Sequence, residues 1–550
     1  MEKNFDWFKE KTVYQIWPRS FCDGNGDGIG DIPGIISKLP YLHELGIELI
    51  WLSPIYKSPM DDMGYDIADY FTIDPLFGSN EDMYQLIHEA REYNIEIMMD
   101  LVVNHTSDQH LWFQEACKSR HNPYRNYYIW HDPVDGKAPT DQRSFFLPSS
   151  WTYHEATGQY YYHAFSNRQP DLNWDNSKIL EEVYKIMNFW LAKGIAGFRM
   201  DVIELIGKIP LEAKFTSPKV HDLLQKIFRH TLEKREKTIT VGETGGATVK
   251  DAILYSGKHN ELDMVFGFEH LTVDEEAGKG KWAIKNLDFI KFKQIVTQWQ
   301  TGLYKKGWNS LYLSNHDQPR QVSRFIDPQH RVAGAKMLAN TLHMLQGTPY
   351  VYQGEEIGMT NFNFTSPAQF KDIEMLNFYK EFINHPEWSK ERVMAAINAK
   401  GRDNARTPMQ WSSDIHGGFS TANPWIEINP NYLQINVAND RTSPDSIFNF
   451  YRHLIGLRKK LPIITHGNFK LLFKDDPQIF AYLRKFLGQL LLVISNFSNQ
   501  DRGIEIPDDI CLTNITLISS NYCRKQISRR MALAPYETMS ILIDKPTAVR

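Results

Sequence analysis

Apolar residues fall in short unbroken runs separated by longer amphipathic stretches. Thr12–Trp17, Ile47–Ser53, Ile95–Val103 and Ile195–Met200 are such runs, and Thr238–Val241, Leu262–Phe268, Ser310–Leu313 and Pro349–Tyr352 continue the series. Runs that are apolar at nearly every position predict strands buried on both faces. Between them, Lys178–Lys193 places Ile179, Val183, Ile186, Met187, Trp190 and Leu191 on one helical face. Glu181, Glu182 and Lys185 lie opposite, and Gly194 follows as a stop,. Glu81–Tyr93 and Arg331–Leu345 behave alike. Strands alternating with helices predict an α/β fold with a parallel sheet. Eight strands, with no glycine-rich dinucleotide fingerprint after the first, predict a closed (β/α)8 TIM barrel,.

Two regions break this alternation. Residues 104–171 are rich in Tyr, Trp, His, Asn and Pro with little helical period, and predict a subdomain inserted after strand three. From residue 467 the pattern becomes FKLLF, IFAYLRKF, QLLLVISNF and MSILID between polar turns, which predicts a C-terminal antiparallel β-sandwich domain. The expected organisation is a barrel over 1–103 and 172–466, an insert over 104–171 and a β-domain over 467–550.

Composition narrows the functional classes. The chain carries 61 Lys+Arg against 66 Asp+Glu, a net charge of −5, so it offers no basic excess for a nucleic-acid partner. Charges at Glu2, Lys3, Asp6, Lys9, Glu10 and Lys11 leave no apolar core for a secretory signal,. No apolar run approaches the length of about 18 residues that spans a bilayer. Cys22, Cys117, Cys511 and Cys523 form no CxxC pair, which argues against a disulfide framework or zinc ribbon,. The expectation is a cytoplasmic monomer without a membrane partner or an organic cofactor. Aromatic residues reach 13%, which suits core packing and stacking on flat ligand faces such as sugar rings alike, and composition alone does not choose between them.

Three predicted strands run into acids: strand four into Asp201 (GFRMD), strand five into Glu243 (TVGE) and strand seven into Asp317 (SNHD). Catalytic groups of such barrels collect at the C-terminal rim. Taken singly, each acid is better explained by a helix cap or a surface charge than by catalysis. Jointly, they suit glycosidic cleavage, in which one carboxylate attacks the anomeric carbon and a protonated one serves the leaving oxygen. Arg199, two residues before Asp201, shares its side of the strand and is expected to lower the pKa of Asp201. Glu243 has no basic residue within five positions, which suits an acid. His105, His163 and His316 lack zinc-motif spacing.

DLVVNH (Asp100–His105), GFRMD (Gly197–Asp201), GE (Gly242–Glu243) and NHD (Asn315–Asp317) match in order the four signature regions of the alpha-amylase family of glycoside hydrolases. QPDLNW (Gln169–Trp174), YQGEEIGM (Tyr352–Met359) and GRDNARTPMQW (Gly401–Trp411) resemble its oligo-1,6-glucosidase and dextran glucosidase branch. The resemblance implies a retaining mechanism with Asp201 as nucleophile, Glu243 as acid/base and Asp317 gripping the ring hydroxyls. It places His105, Arg199 and His316 at the first sugar subsite, makes Phe165 and Gln169 pocket residues, and gives Asp100 a mainly structural part. Asp62 and Tyr65 of DDMGYD match residues that hold a terminal glucose, with Arg402 pairing Asp62 to close the non-reducing end. Val202 matches the branch that prefers α-1,6 bonds. Lys281 and Glu374 match leaving-side contacts. Gly245 departs from the tryptophan that dextran glucosidases carry, which favours short oligosaccharides, and Glu204 stands where relatives have Asn or Asp.

Asp23, Asn25, Asp27 and Asp31, with the Ile29 carbonyl, alternate as in an oxygen-rich cation loop,. Spacing alone fits a metal-free loop of Asx turns equally well; the resemblance implies a structural Ca2+. The expected function is an exo-acting α-1,6-glucosidase on short isomalto-oligosaccharides. Trehalose-6-phosphate hydrolase (VSRF after NHDQPR, and GKW near 280) or a broader α-glucosidase/sucrase is the alternative. Sucrose isomerisation lacks an RLDRD-like segment after Phe268, and a non-catalytic barrel would have lost the acids.

Overall fold

The computed structural model describes residues 3–524 and 526–544; Glu2 of the charged N-terminal run lies outside them. Eight strands, β1 (Val13–Ile16), β2 (Leu49–Leu52), β3 (Glu96–Leu101), β4 (Gly197–Met200), β5 (Ile239–Glu243), β6 (Met264–Phe266), β7 (Ser310–Leu311) and β8 (Thr348–Tyr352), form one parallel sheet. Its order is β6-β5-β4-β3-β2-β1-β8-β7. A parallel bridge between Val265 and Asn309 joins the two edges, so the sheet closes into a barrel with no free edge.

Strand parity decides what faces the axis. On β4, Phe198 and Met200 pack outward against the helices, which leaves Arg199 pointing inward,. Met98 and Val241 belong to the barrel's inner cluster with Trp51 and Tyr350. Asp100 and Glu243, each two residues further along its strand, therefore stand above that cluster at the rim. Below them the cluster is largely apolar, so charged groups at this height are balanced chiefly by one another.

The helices form where the periodicity predicts. Ser177–Lys193 is capped by the Asn176 side chain and stopped by Gly194 in the left-handed conformation (φ 104°). Asn80–Glu92 starts on a capping box of Ser79 and Asp82,.

The insert after β3 holds a three-stranded antiparallel sheet, Trp130–His131, Gln159–Tyr162 and Trp151–His154. Its helix Leu111–Lys118 is not visible in the periodicity, because only Phe113 and Ala116 of its eight residues are buried. An antiparallel bridge between His105 and Asp171 ties the two ends of the insert together.

Beyond residue 467 a five-stranded antiparallel sheet runs in the order Lys470–Leu472, Ile479–Phe486, Gln489–Asn496, Thr538–Ile543, Ile515–Ser520. Ile515–Ser520 and the separate pair Arg502–Glu505 and Arg530–Leu533 carry too many exposed positions to stand out as strands in the sequence. The sheet is pinned to helix Arg331–His343, where Tyr482 donates to the Thr341 carbonyl at 2.7 Å and Asn340 donates to Thr538 at 2.8 Å. Among the described residues no helix is long and apolar enough to cross a membrane.

Candidate active site

Arg199 organises the rim. Its Nη1 donates to Asp201 Oδ1 at 2.6 Å and to both oxygens of Asp100 at 2.9 and 3.1 Å, while Nη2 donates to Glu243 Oε2 at 2.6 Å. One buried guanidinium is thus divided among three carboxylates. This corrects the expectation that Arg199 lowers the pKa of Asp201, and it corrects the premise, though not the outcome, of the expectation for Glu243. Glu243 does have a cationic partner, supplied from 44 positions away. Asp201 is not held low: burial pushes its pKa upward more strongly than a shared Arg199 lowers it, and Asp100 adds to the rise,. Burial also pushes Glu243 up to about 7.

The residue after Asp201 has an uncommon backbone. Val202 sits at φ 35°, ψ 42°, a left-handed conformation that costs a β-branched residue about 1–3 kcal/mol. That conformation aims its N–H at Glu243 Oε2, 2.9 Å away. Oε2 therefore takes two donors, while Oε1 has no hydrogen-bond partner among the described residues and is the oxygen free to carry a proton.

Asp317 lies in the loop after β7. Burial raises its pKa, but His316, Arg402 and Arg406 outweigh that and hold it well below the usual range. Arg406 Nη2 donates to it at 2.9 Å and His316 Nε2 at 3.1 Å. Gln15 donates to His316 Nδ1 at 2.7 Å, and the Tyr65 hydroxyl lies 2.7 Å from Nε2. Tyr65 stacks on the His316 ring, with centroids 5.3 Å apart and planes within 9°. Its hydroxyl also donates to Asp100 at 3.1 Å.

At the far end of the pocket Arg402 donates to Asp62 at 2.9 Å and to Asp372 at 2.8 Å. Gln169 donates to Asp62 at 3.2 Å, and His105 contacts the Tyr65 carbonyl at 2.9 Å. Phe165 packs on the His105 ring at 5.3 Å. Lys281 and Glu374 form an ion pair with each other at the mouth, so neither is a lone rim charge. Asp62, Tyr65, His105, Phe165, Asp201, Val202, Glu243, Asp317, Lys281, Glu374 and Arg402 all line one cavity of about 270 Å³. Arg199, His316 and Gln169 stand just behind its wall.

Sequence reasoning missed Asp372, Arg406 and the aromatic wall of Phe145, Phe146 and Phe268. Arg406 had a signal, because it lies four residues after Arg402 in GRDNARTPMQW. Phe146 had none: it reaches the site from the insert, with its ring 5.1 Å from the Arg402 guanidinium.

A larger cleft of about 960 Å³ separates the insert from the segment after β4. Lys208, Lys219 and Arg120 there are paired with Asp171, Asp175 and Asp132, Arg125 is held by neutral partners, and none of the three strand-end acids lines the cleft.

The 23–31 loop folds on its own side chains. Asp23 accepts from the amides of Asn25, Gly26 and Gly28 and from the Ser420 hydroxyl. Asp31 caps helix Ile32–Ser37, and both its oxygens accept amides, from Gly34, Gly24 and Asn25. Gly34 admits no side chain, because a Cβ there would lie 1.9 Å from the Cys22 carbonyl. Among the described residues no three His, Cys, Asp or Glu side chains converge on a common point. Asp23, Asn25, Asp27, Asp31 and the Ile29 carbonyl are an all-oxygen set of the kind a hard cation takes, with Asp23 and Asp31 both already accepting backbone amides.

Comparison with known proteins agrees with this geometry. The alpha amylase catalytic-domain family matches residues 15–467. An oligo-1,6-glucosidase from Bacillus cereus is 50% identical, covering 98% of this chain and 99% of its own. A glucan 1,6-alpha-glucosidase from Streptococcus pneumoniae is 47% identical, covering 97% and 99%. The crystal structure of a trehalose-6-phosphate hydrolase from Bacillus licheniformis superposes with a TM-score of 0.93 at 43% identity, covering 98% and 100%.

Proposed function

The chain belongs to the alpha-amylase family of glycoside hydrolases, and from that premise we infer that it is a retaining, exo-acting α-glucosidase. It removes glucose from the non-reducing end of short isomalto-oligosaccharides by cleaving α-1,6 bonds. The observation that carries this reading is the pocket's closed end: Arg402 and Asp62 pair at 2.9 Å behind Tyr65, which leaves room for one terminal sugar. The oligo-1,6-glucosidase and glucan 1,6-alpha-glucosidase relatives support the linkage.

Asp201 attacks the anomeric carbon while Glu243 passes the proton on Oε1 to the departing glycosidic oxygen. The glucosyl ester on Asp201 then yields to a water that Glu243, now ionised, deprotonates. Sharing one guanidinium suits a retaining pair, whose carboxyl groups stand roughly 5 Å apart. Arg199 stabilises the ionised form of each acid in turn, and Asp317, kept anionic by Arg406, grips the sugar hydroxyls. Proton NMR before mutarotation should show α-glucose released from isomaltose. A β product would overturn the retaining assignment, and no release from isomaltose or panose would overturn the specificity. Activity confined to trehalose-6-phosphate would decide for the alternative; the engagement of Lys281 at the mouth by Glu374 supports the neutral-sugar reading.

A structural Ca2+ in the 23–31 loop belongs to this reading, held by Asp23, Asn25, Asp27, Asp31 and the Ile29 carbonyl, with Asp31 also capping the following helix. A reducing, cytoplasmic setting fits the four free cysteines, and a monomer is the proposed state.

A further inference from the structure

The segment after β4, DVIELIGKIP, ends its short 3-10 turn (Ile203–Gly207) on Lys208. The Lys208 side chain is only 2% exposed, and an ammonium that deep requires partners. It has three: Asn104 Oδ1 at 2.5 Å, Asp171 Oδ2 at 3.0 Å and, more distantly, the Asn104 carbonyl at 3.4 Å. A lysine can only donate, so the Asn104 amide must turn its oxygen toward Lys208. Its nitrogen then faces the other way, 3.1 Å from Asp171 Oδ2 and 3.1 Å from His105 Nδ1. An amide nitrogen also only donates, so His105 Nδ1 must be the unprotonated acceptor. Burial keeps the imidazole neutral, lowering its pKa to about 4. Its single proton therefore sits on Nε2, 2.9 Å from the Tyr65 carbonyl and beside the Gln169 amide at 3.2 Å.

We propose that Lys208 is a positioning residue: acting through Asn104, it fixes His105 as the neutral Nε2–H tautomer and so sets the donor at the wall of the sugar pocket. Without the ammonium, the buried Asn104 oxygen loses its donor and only the contact of its nitrogen with Asp171 Oδ2 still orients the amide. A flipped amide would present an acceptor to His105 Nδ1, draw the proton there and leave an Nε2 lone pair against the Tyr65 carbonyl. The ring would then have to turn out of its place between Tyr65 and Phe165. The functional half of this inference rests on the α-glucosidase reading; the tautomer does not.

The test uses the full chain labelled with [15N]histidine, the His105 signals being assigned by their loss in His105→Gln. In the unmodified protein at pH 7, Nε2 should show the shift of a protonated nitrogen and Nδ1 that of an unprotonated one. Lys208→Met should abolish this preference. Asn104→Asp retains the ammonium and its partners but cannot donate to Nδ1, and should move the proton to Nδ1. Both variants should lose about ten- to a hundredfold in kcat/KM on isomaltose. An unchanged Nε2–H tautomer in folded Lys208→Met would overturn the proposal, whatever Asn104→Asp shows. If Lys208→Met fails to fold, an unchanged tautomer in Asn104→Asp overturns it alone. A moved tautomer with unchanged isomaltose kinetics would refute the functional half. Failure of the unmodified protein on isomaltose would instead count against the substrate reading, leaving the tautomer result standing.

Discussion

Arg402 donates to Asp62 at 2.9 Å across 340 positions of sequence, and both side chains are buried. The same guanidinium holds Asp372, which Arg406 also reaches at 3.0 Å. Removing Arg402 would leave two buried carboxylates short of a cation, a loss of about 3–5 kcal/mol. Arg402→Met should therefore lower the melting temperature by several degrees. It should also raise KM for isomaltose far more than it raises KM for an aryl α-glucoside with a good leaving group. Equal effects on both substrates would indicate general loosening rather than an opened pocket.

Asp201→Asn removes the attacking carboxylate while keeping its shape. Turnover of isomaltose should fall by roughly four orders of magnitude or more, with unchanged circular dichroism. Undiminished turnover would move the nucleophile elsewhere.

Burial holds Glu243 at about 7 against an ordinary 4.5, so the folded state binds the extra proton. Its contribution to stability is complete below 4.5 and is lost as pH rises through about 7. Catalysis needs the same proton, so kcat/KM should fall on the alkaline side with a midpoint near 7. Glu243→Gln should lose that alkaline limb on activated aryl glucosides. It should also melt higher than the unmodified protein at pH 8, by about 2 °C or more, with the gain vanishing toward pH 5. A gain at pH 5 equal to that at pH 8 would contradict the linkage.

Gly245 needs no special backbone, and a Cβ there would meet only Glu204 Oε1, 3.8 Å away. Gly245→Trp should fold normally and raise kcat/KM on isomaltotriose and longer chains relative to isomaltose. An unchanged ratio would mean that this rim position does not touch the leaving side.

Calcium in the 23–31 loop would bind folded protein and not unfolded chain. Exhaustive chelation should lower the melting temperature, and added calcium should restore it. A melting curve indifferent to both would remove the metal from this loop.

The barrel was legible because buried parallel strands leave a strong local mark and because parity places Asp100, Arg199 and Glu243 on the inner side. The three acids were legible for the same reason, each standing at a strand end or in the loop beyond it. Charge balance was not. A window of five residues around Glu243 contains no cation, yet Arg199 arrives from the neighbouring strand. The presence of Arg199 beside Asp201 said nothing of the two other acids it also serves. The outer wall was hidden for a related reason: Phe145 and Phe146 come from an insert with weak periodicity. Arg143 of that insert reaches Glu381 on helix Ile373–Phe382 only after both have folded.

The blind end made by Asp62 and Arg402 has a consequence for traffic. A chain can enter only by its tip, and after cleavage the freed glucose lies deepest, behind the shortened remainder. The remainder must leave first and cannot slide forward to offer its next unit. Every bond broken is then a separate visit, so attack is distributive, and a mixture of chains should shorten in step rather than one molecule at a time.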